Sequence, residues 1–149
     1  MRIPSIRLET EWNELDRLVL GAWLDPLVSP LFNWRAMEVE KARVSGPSLF
    51  ARDAQNRIIA FVVSQATPDR LEILCLATQP EYRGQGVMEE LLDSFFAQHQ
   101  KGREVWLEVH EFNSSARKLY EKIGFRVVGE RPKYYRDGAT AVLYSLSPD

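Results

Sequence analysis

Hydrophobic periodicity divides this chain into seven strands and four helices in the order β α α β β β α β α β β, which predicts a mixed α/β domain. Two observations carry that class. Apolar residues alternate with period two in the strand segments, most cleanly in Glu104–His110, and recur at three- and four-residue spacing in the helical ones. Glycine, proline and asparagine mark the boundaries between them. A chain of 149 residues that is 45% hydrophobic can bury the core of one ordinary domain, so a single domain is expected over residues 1–149.

The elements follow in order. Ile3 to Leu8 is a short first strand. Thr10 is placed to cap a helix on which Trp12, Leu15, Val19 and either Ala22 or Trp23 share a face, and Pro26 ends it. Ser29 and Pro30 offer an N-cap and a first-turn proline to a second helix running to about Arg43, with Phe32, Ala36 and Val39 on one stripe. Ser48–Asp53 and Arg57–Ser64 form a hairpin around residues 54–56, and Thr67, Pro68 and Asp69 turn the chain into a strand over Arg70–Ala77. After glycines 84 and 86, a third helix to Gln100 carries Val87, Met88, Leu91, Leu92, Phe95 and Phe96 on one broad stripe. Glu104–His110 is the next strand; Asn113 or Ser114 caps a helix with Ala116, Leu119, Tyr120 and Ile123 on one face, and Gly124 stops it. Arg126–Glu130 and Ala139–Leu146 close the chain around Lys133–Gly138.

Composition excludes several function classes. No apolar run approaches the roughly 20 residues of a membrane span, and the first residues lack a long apolar stretch followed by small residues. A soluble, cytoplasmic protein without a secretory signal or membrane partner is expected. The single Cys75 excludes an internal disulfide, suits a reducing compartment and sits in an apolar strand as core. Net charge −2 argues against a nucleic-acid partner. Residues 101–136 nevertheless carry nine Lys/Arg against five Glu, a local excess of four positive charges that suits an anionic ligand or a solvated helix face alike. Two histidines and one cysteine offer no metal-ligand spacing, and His99 near a helix end is expected to act there as a favourable charge.

The segment Gln79-Pro-Glu-Tyr-Arg-Gly-Gln-Gly-Val-Met88 joins a strand to a helix. Glycine tolerates positive φ and brings bare backbone close to a ligand, and a helix start points unpaired N–H groups outward, so a pyrophosphate is a natural occupant. A β–α connection without a ligand satisfies the same residues. Neither Gly-x-Gly-x-x-Gly nor Gly-x4-Gly-Lys-Ser/Thr is present.

Arg83-Gly-Gln-Gly-Val-Met88 and Trp106-Leu-Glu-Val-His-Glu-Phe-Asn-Ser-Ser-Ala-Arg-Lys-Leu-Tyr-Glu-Lys-Ile-Gly-Phe125 together resemble the two signature blocks of the GCN5-related N-acetyltransferase (GNAT) family. Within it, the Trp-Leu-Glu-Val strand and the Tyr134-Tyr135 pair are similar to the ribosomal-protein alanine N-acetyltransferases. The likeness covers residues 71–146 well and residues 1–50 only by element order. It implies a splayed, mostly antiparallel sheet of about seven strands flanked by about four helices, and acetyl transfer from acetyl-coenzyme A to a primary amine, with no metal. The implied pyrophosphate site is Arg83, Gly84, Gln85, Gly86, Val87 and Met88. The pantetheine arm is implied to run beside Leu76, Ala77 and Thr78, with Asn113 placed either to bond the arm or only to cap its helix. Met88 departs from the family's Gly or Ala, and its place in the apolar stripe directs its side chain to the core.

An ammonium ion has no lone pair for attack, and a leaving thiolate gains from a proton donor, so the implied chemistry wants a base and an acid. Glu108 is the candidate base, directly or through water, and partial desolvation beside Trp106 is expected to raise its proton affinity. Tyr120, which by spacing alone is a core aromatic, matches the family's protonating tyrosine and is the candidate acid. Phe32 and Trp34 in the first half, with Tyr134 and Tyr135, are candidate walls of the acceptor pocket. The leading acceptor is a protein N-terminal α-amine. A small amine such as a polyamine, amino acid or aminoglycoside is the alternative, and a catalytically lapsed coenzyme A-binding module is the reading from another class. The sequence leaves the oligomeric state open.

Overall fold

The computed structural model describes residues 6–148, so the start of the strand expected from Ile3 lies outside the described residues. Seven strands form one sheet: β1 (Arg7–Glu9), β2 (Ser48–Arg52), β3 (Ile58–Ala66), β4 (Arg70–Thr78), β5 (Glu104–His110), β6 (Arg126–Arg131) and β7 (Ala141–Leu146), in the spatial order β1-β2-β3-β4-β5-β7-β6. Every neighbouring pair is antiparallel except β4 and β5. That parallel pair holds register only from Arg70↔Glu104 to Glu72↔Trp106. Beyond it β4 runs on to Thr78, paired with β3 alone, while β5 runs on to His110, paired with β7 alone. The sheet therefore splays open along its middle.

Helices cover both faces. On one face lie α3 (Val87–His99) and α4 (Ser114–Ile123), which bury Val87, Met88, Leu91, Leu92, Phe95 and Tyr120 against β-strand residues including Ile59, Leu71, Val105, Leu107 and Val109. The alternation along β5 produces this: Val105, Leu107 and Val109 face that core, and Trp106, Glu108 and His110 face away. On the opposite face α1 (Asp16–Leu24) and α2 (Ala36–Ala42) pack Leu20, Leu24 and Val39 on Phe50, Phe61, Val63 and Cys75. Full burial of each large side chain contributes on the order of 1.5–3 kcal/mol. Among the described residues no helix is long and apolar enough to cross a membrane.

Two helix starts differ from expectation. Residues 10–15 are not α-helical; α1 begins at Asp16, whose carboxylate accepts the Asn13 N–H at 2.6 Å. The same carboxylate grips Arg52, which is fully buried, at 2.8 and 2.6 Å, and Glu9 approaches the Arg52 Nε at 2.7 Å. The guanidinium also donates to the carbonyls of Glu11 (2.9 Å) and Asn56 (3.0 Å), so one side chain ties β1, the entry to α1 and the β2–β3 turn together. Ser29 and Pro30 do not start α2. Ser29 and Phe32 exchange backbone hydrogen bonds of 2.8 and 3.1 Å across a tight turn, which places the proline in the turn rather than in a helix. α2 starts six residues later because Asp25, distant in sequence, accepts the Ala36 N–H at 2.9 Å while Glu38 accepts that of Arg35 at 3.0 Å.

Candidate active site

The glycine junction has the geometry of a cradle that could hold an anion. Gly84 and Gly86 sit at φ +74° and +81°, a region that strains other residues, and a Cβ added to either would enter open space. The first hydrogen bond of α3 runs from the Glu90 N–H to the Gly86 carbonyl, so the N–H groups of Val87, Met88 and Glu89 have no intrahelical partner. Those of Gly84, Gln85 and Gly86 also lack a partner among the described residues. The Arg83 N–H does not join them: it turns back to the Pro80 carbonyl at 3.2 Å. Its exposed guanidinium reaches the Thr78 carbonyl through Nε at 3.3 Å, at the end of β4. Met88 is 7% exposed and packs in the core with Leu91, Leu92 and Phe95, so the cradle is lined there by its backbone. These residues fit a pyrophosphate.

A cavity of about 150 Å³ opens where β4 leaves β5. It brings Leu76 of β4, Glu108 of β5, Asn113 and Tyr120 of the β5–α4 block, Phe32 and Trp34 of the α1–α2 connection, and Tyr135 of the β6–β7 turn to one place. Ala77 and Thr78 continue the unpaired edge of β4 toward the cradle, both half-buried. Tyr134 is not in the wall. It is half exposed, edge-on to Tyr135 at 5.1 Å, with the Arg131 guanidinium 5.8 Å from its ring centre. Cys75 lines the cavity while packing in the core, and burial pushes its thiol up, away from nucleophilic thiolate.

Glu108 is not desolvated by Trp106. The indole N–H donates to Glu104 at 2.6 Å and the ring carries the Arg70 guanidinium at 3.9 Å, while the Glu108 side chain, 30% exposed, faces Arg131 at 3.6 Å. The carboxylate is therefore solvent-accessible and charge-paired rather than enclosed by the indole. Tyr120 is 7% exposed, edge-on to Phe125 and Tyr144, and burial pushes its phenol well above the ordinary tyrosine range. It keeps its proton at neutral pH and is a donor toward an anion that develops beside it. Asn113 does cap α4: its Oδ1 accepts the Ala116 N–H and the Ser115 hydroxyl, both at 3.3 Å. That uses the amide oxygen and leaves the amide NH₂ as a donor at the cavity.

Sequence reasoning passed over His110, which ends β5 at 2% exposure in the cavity wall. Its Nε2 lies 2.8 Å from Asp137 Oδ2, its Nδ1 accepts the Phe112 N–H at 3.1 Å, and Tyr135 stacks on it at 4.8 Å. The only local signal was its shared face with Glu108; its partner lies 27 residues away. His99 does not act as a helix-end charge. Burial lowers its pKa, helped by Lys101 and Arg103, and its ring packs on Phe95 at 5.0 Å.

Comparison with known proteins gives a consistent assignment. The model of the acetyltransferase (GNAT) family matches residues 8–125. A [ribosomal protein bS18]-alanine N-acetyltransferase of Haemophilus ducreyi is 37% identical over 98 residues, 62% of this chain and 68% of that protein. Its namesake in Haemophilus influenzae is 44% identical over 82 residues, 54% of this chain and 56% of that protein, so the match spans about half to two thirds of the relatives' length. In fold the chain resembles the NatC complex bound to Gag peptide and coenzyme A, with a TM-score of 0.82 at 23% identity over 97% of this chain and 99% of that one.

Proposed function

Because the chain belongs to the acetyltransferase (GNAT) family and is an N-acetyltransferase, we propose that it transfers the acetyl group of acetyl-coenzyme A directly to the α-amine of a protein N-terminus, within a ternary complex. One observation carries the reading: Glu108 and Tyr120 line a single cavity, opened by the splay of β4 from β5, and β4 leads from it to a run of backbone N–H groups that have no protein partner among the described residues. The names of the Haemophilus relatives point the same way for the acceptor. So does the cavity itself, which at about 150 Å³ with Phe32, Trp34 and Tyr135 in its wall suits a small first residue entering from an extended peptide.

The coenzyme supplies an activated acetyl thioester and a good leaving thiol. The residues of this chain do the rest. Gly84 to Met88 hold the pyrophosphate on their N–H groups, with the helix dipole behind them and the Arg83 guanidinium beside them. The free edge of β4 at Leu76, Ala77 and Thr78 receives the pantetheine amides, joined by the Asn113 amide. A backbone N–H near Leu76 would polarise the thioester carbonyl. Glu108, directly or through one water, takes the proton of the incoming ammonium, and the second proton that the attacking nitrogen sheds as the amide forms replaces the one that Tyr120 gives to the departing sulfur. We assign the reaction to the cytoplasm, a reducing compartment that suits Cys75.

Thiol release from acetyl-coenzyme A with a peptide bearing a ribosomal-protein N-terminus, and none with polyamines, amino acids or aminoglycosides, is the expected result. The reverse pattern would replace the peptide by a small amine, and coenzyme binding with no acceptor at all would leave a binding module. The cradle has its own test. Gly86→Val adds a β-branched side chain at φ +81° where the ligand approaches, and should weaken acetyl-coenzyme A binding by calorimetry at least about tenfold, whereas Met88→Leu should stay within about twofold because that side chain faces the core.

A further inference from the structure

The tip of the turn between β6 and β7 is tied to β5 through the Asp137 carboxylate. Asp137 Oδ1 accepts the Ala139 N–H at 3.0 Å and closes the turn, while Oδ2 meets His110 Nε2 at 2.8 Å. Because His110 Nδ1 accepts the Phe112 N–H at 3.1 Å, that nitrogen bears no proton, and the ring is the neutral tautomer that donates from Nε2. Both nitrogens are engaged and the residue is 2% exposed, so the ring has one orientation. Tyr135 lies on it, nearly parallel at 29° with centroids 4.8 Å apart, and the same Tyr135 lines the cavity. The backbone contacts within the turn, from the Tyr134 and Tyr135 N–H groups to the Ala139 carbonyl and from Gly138 to Tyr135, are internal to it, and outside the latch the exposed Tyr134 phenol lies near Glu108 of β5. Thr140, at its exit, is tied through its N–H to the Glu111 carboxylate. His110 is thus the strut between the floor of the cavity, two residues after Glu108 on the same face of β5, and its Tyr135 wall.

We propose that His110 and Asp137 form a latch that places Tyr135 over the acceptor side of the cavity, so that this pair sets affinity for the acceptor amine and not the rate of acetyl transfer. The proposal rests on acetyl transfer to a peptide amine as the function. Both are positioning residues. Among the described residues the side chains of neither hydrogen-bond to the glycine cradle or to β4, so coenzyme binding is expected to be independent of the latch. Loss of the Asp137 carboxylate leaves the His110 Nε2–H without its partner and removes one of the bonds that close the turn at Ala139, and Tyr135 then loses its fixed backing.

Steady-state kinetics on the full chain, with a ribosomal-protein N-terminal peptide and acetyl-coenzyme A, test it. Asp137→Ala should raise the KM for peptide at least about tenfold while kcat changes less than about threefold and the calorimetric Kd for acetyl-coenzyme A less than about twofold, which also reports that the variant is folded. Asp137→Asn keeps one oxygen for two donors and should fall between wild type and Asp137→Ala. His110→Ala combined with Asp137→Ala should be no worse than the poorer single variant within about twofold, since a pair acting as one unit is not additive. Nitrogen-15 spectra of wild-type imidazoles should place the His110 proton on Nε2. An unchanged peptide KM in Asp137→Ala, an additive double variant, or a proton on Nδ1 overturns the latch alone. Failure of the wild type to acetylate any peptide overturns the latch together with the function on which it rests.

Discussion

Replacing Glu108 by Gln or Tyr120 by Phe should each lower kcat at least about 10²-fold while leaving the Kd for acetyl-coenzyme A within about twofold. Neither change alters the volume of the cavity, and neither residue lies in the cradle, so binding has no reason to follow. The two losses have different pH signatures. Glu108→Gln removes the acceptor of the ammonium proton, so its residual rate should rise with pH as free amine accumulates, and more steeply than that of wild type, which keeps the side chain beside Arg131. Tyr120 acts in its protonated form. Its folded-state pKa is raised, so the active form persists through the ordinary tyrosine range near pH 10 and is lost only above it. A pH–rate profile with an alkaline fall at an unshifted tyrosine pKa would assign the proton donor elsewhere. Turnover within threefold of wild type in both variants would remove the acid–base pair altogether.

Asp16→Ala should destabilise the fold by about 3–5 kcal/mol, because it strips the two-oxygen partner from a guanidinium that is fully buried. Glu9 and the carbonyls of Glu11 and Asn56 remain on Arg52 but do not replace a carboxylate that is itself 4% exposed. Urea denaturation should report the loss as a lower midpoint at unchanged slope. The paired replacement Asp16→Leu with Arg52→Met should be markedly less harmful than Asp16→Ala alone, since no buried charge is left uncompensated. As a contrast, Lys122→Ala breaks an ion pair whose partners are 69% and 42% exposed and should cost no more than about 0.5 kcal/mol. Equal losses for Asp16→Ala and Lys122→Ala would show that the buried pair does not organise the β1–α1–β2 corner.

The parts of this protein legible in its sequence are those whose causes are local. Gly84 and Gly86 take positive φ, Asn113 caps α4 and Gly124 at φ +118° stops it, each within the segment that the residue type predicts. The alternation in β5 correctly divided Val105, Leu107 and Val109 from Trp106, Glu108 and His110. The apolar stripe of α3 correctly sent Met88 to the core. The first forty residues were less legible because their helix starts are set by distant groups: Asp25 caps α2 through space, and Arg52 holds the head of α1. Ser29-Pro30 carries the signature of a helix start and of a turn alike, and the backbone exchange with Phe32 decided for the turn.

The glycine loop, the two signature blocks and the candidate pair Glu108 and Tyr120 were determined by the sequence alone, since short-range conformational preference and residue identity are properties of the chain itself. What the tertiary structure decided is who meets whom. It inserted β7 between β5 and β6, opened β4 from β5 after Glu72 and Trp106, and turned Trp106 toward Glu104 and Arg70 instead of over Glu108. It put Tyr135 in the cavity wall and Tyr134 outside it, and it joined His110 to Asp137. Such pairings depend on which faces are buried when the whole sheet is assembled, and no local pattern in the chain encodes them.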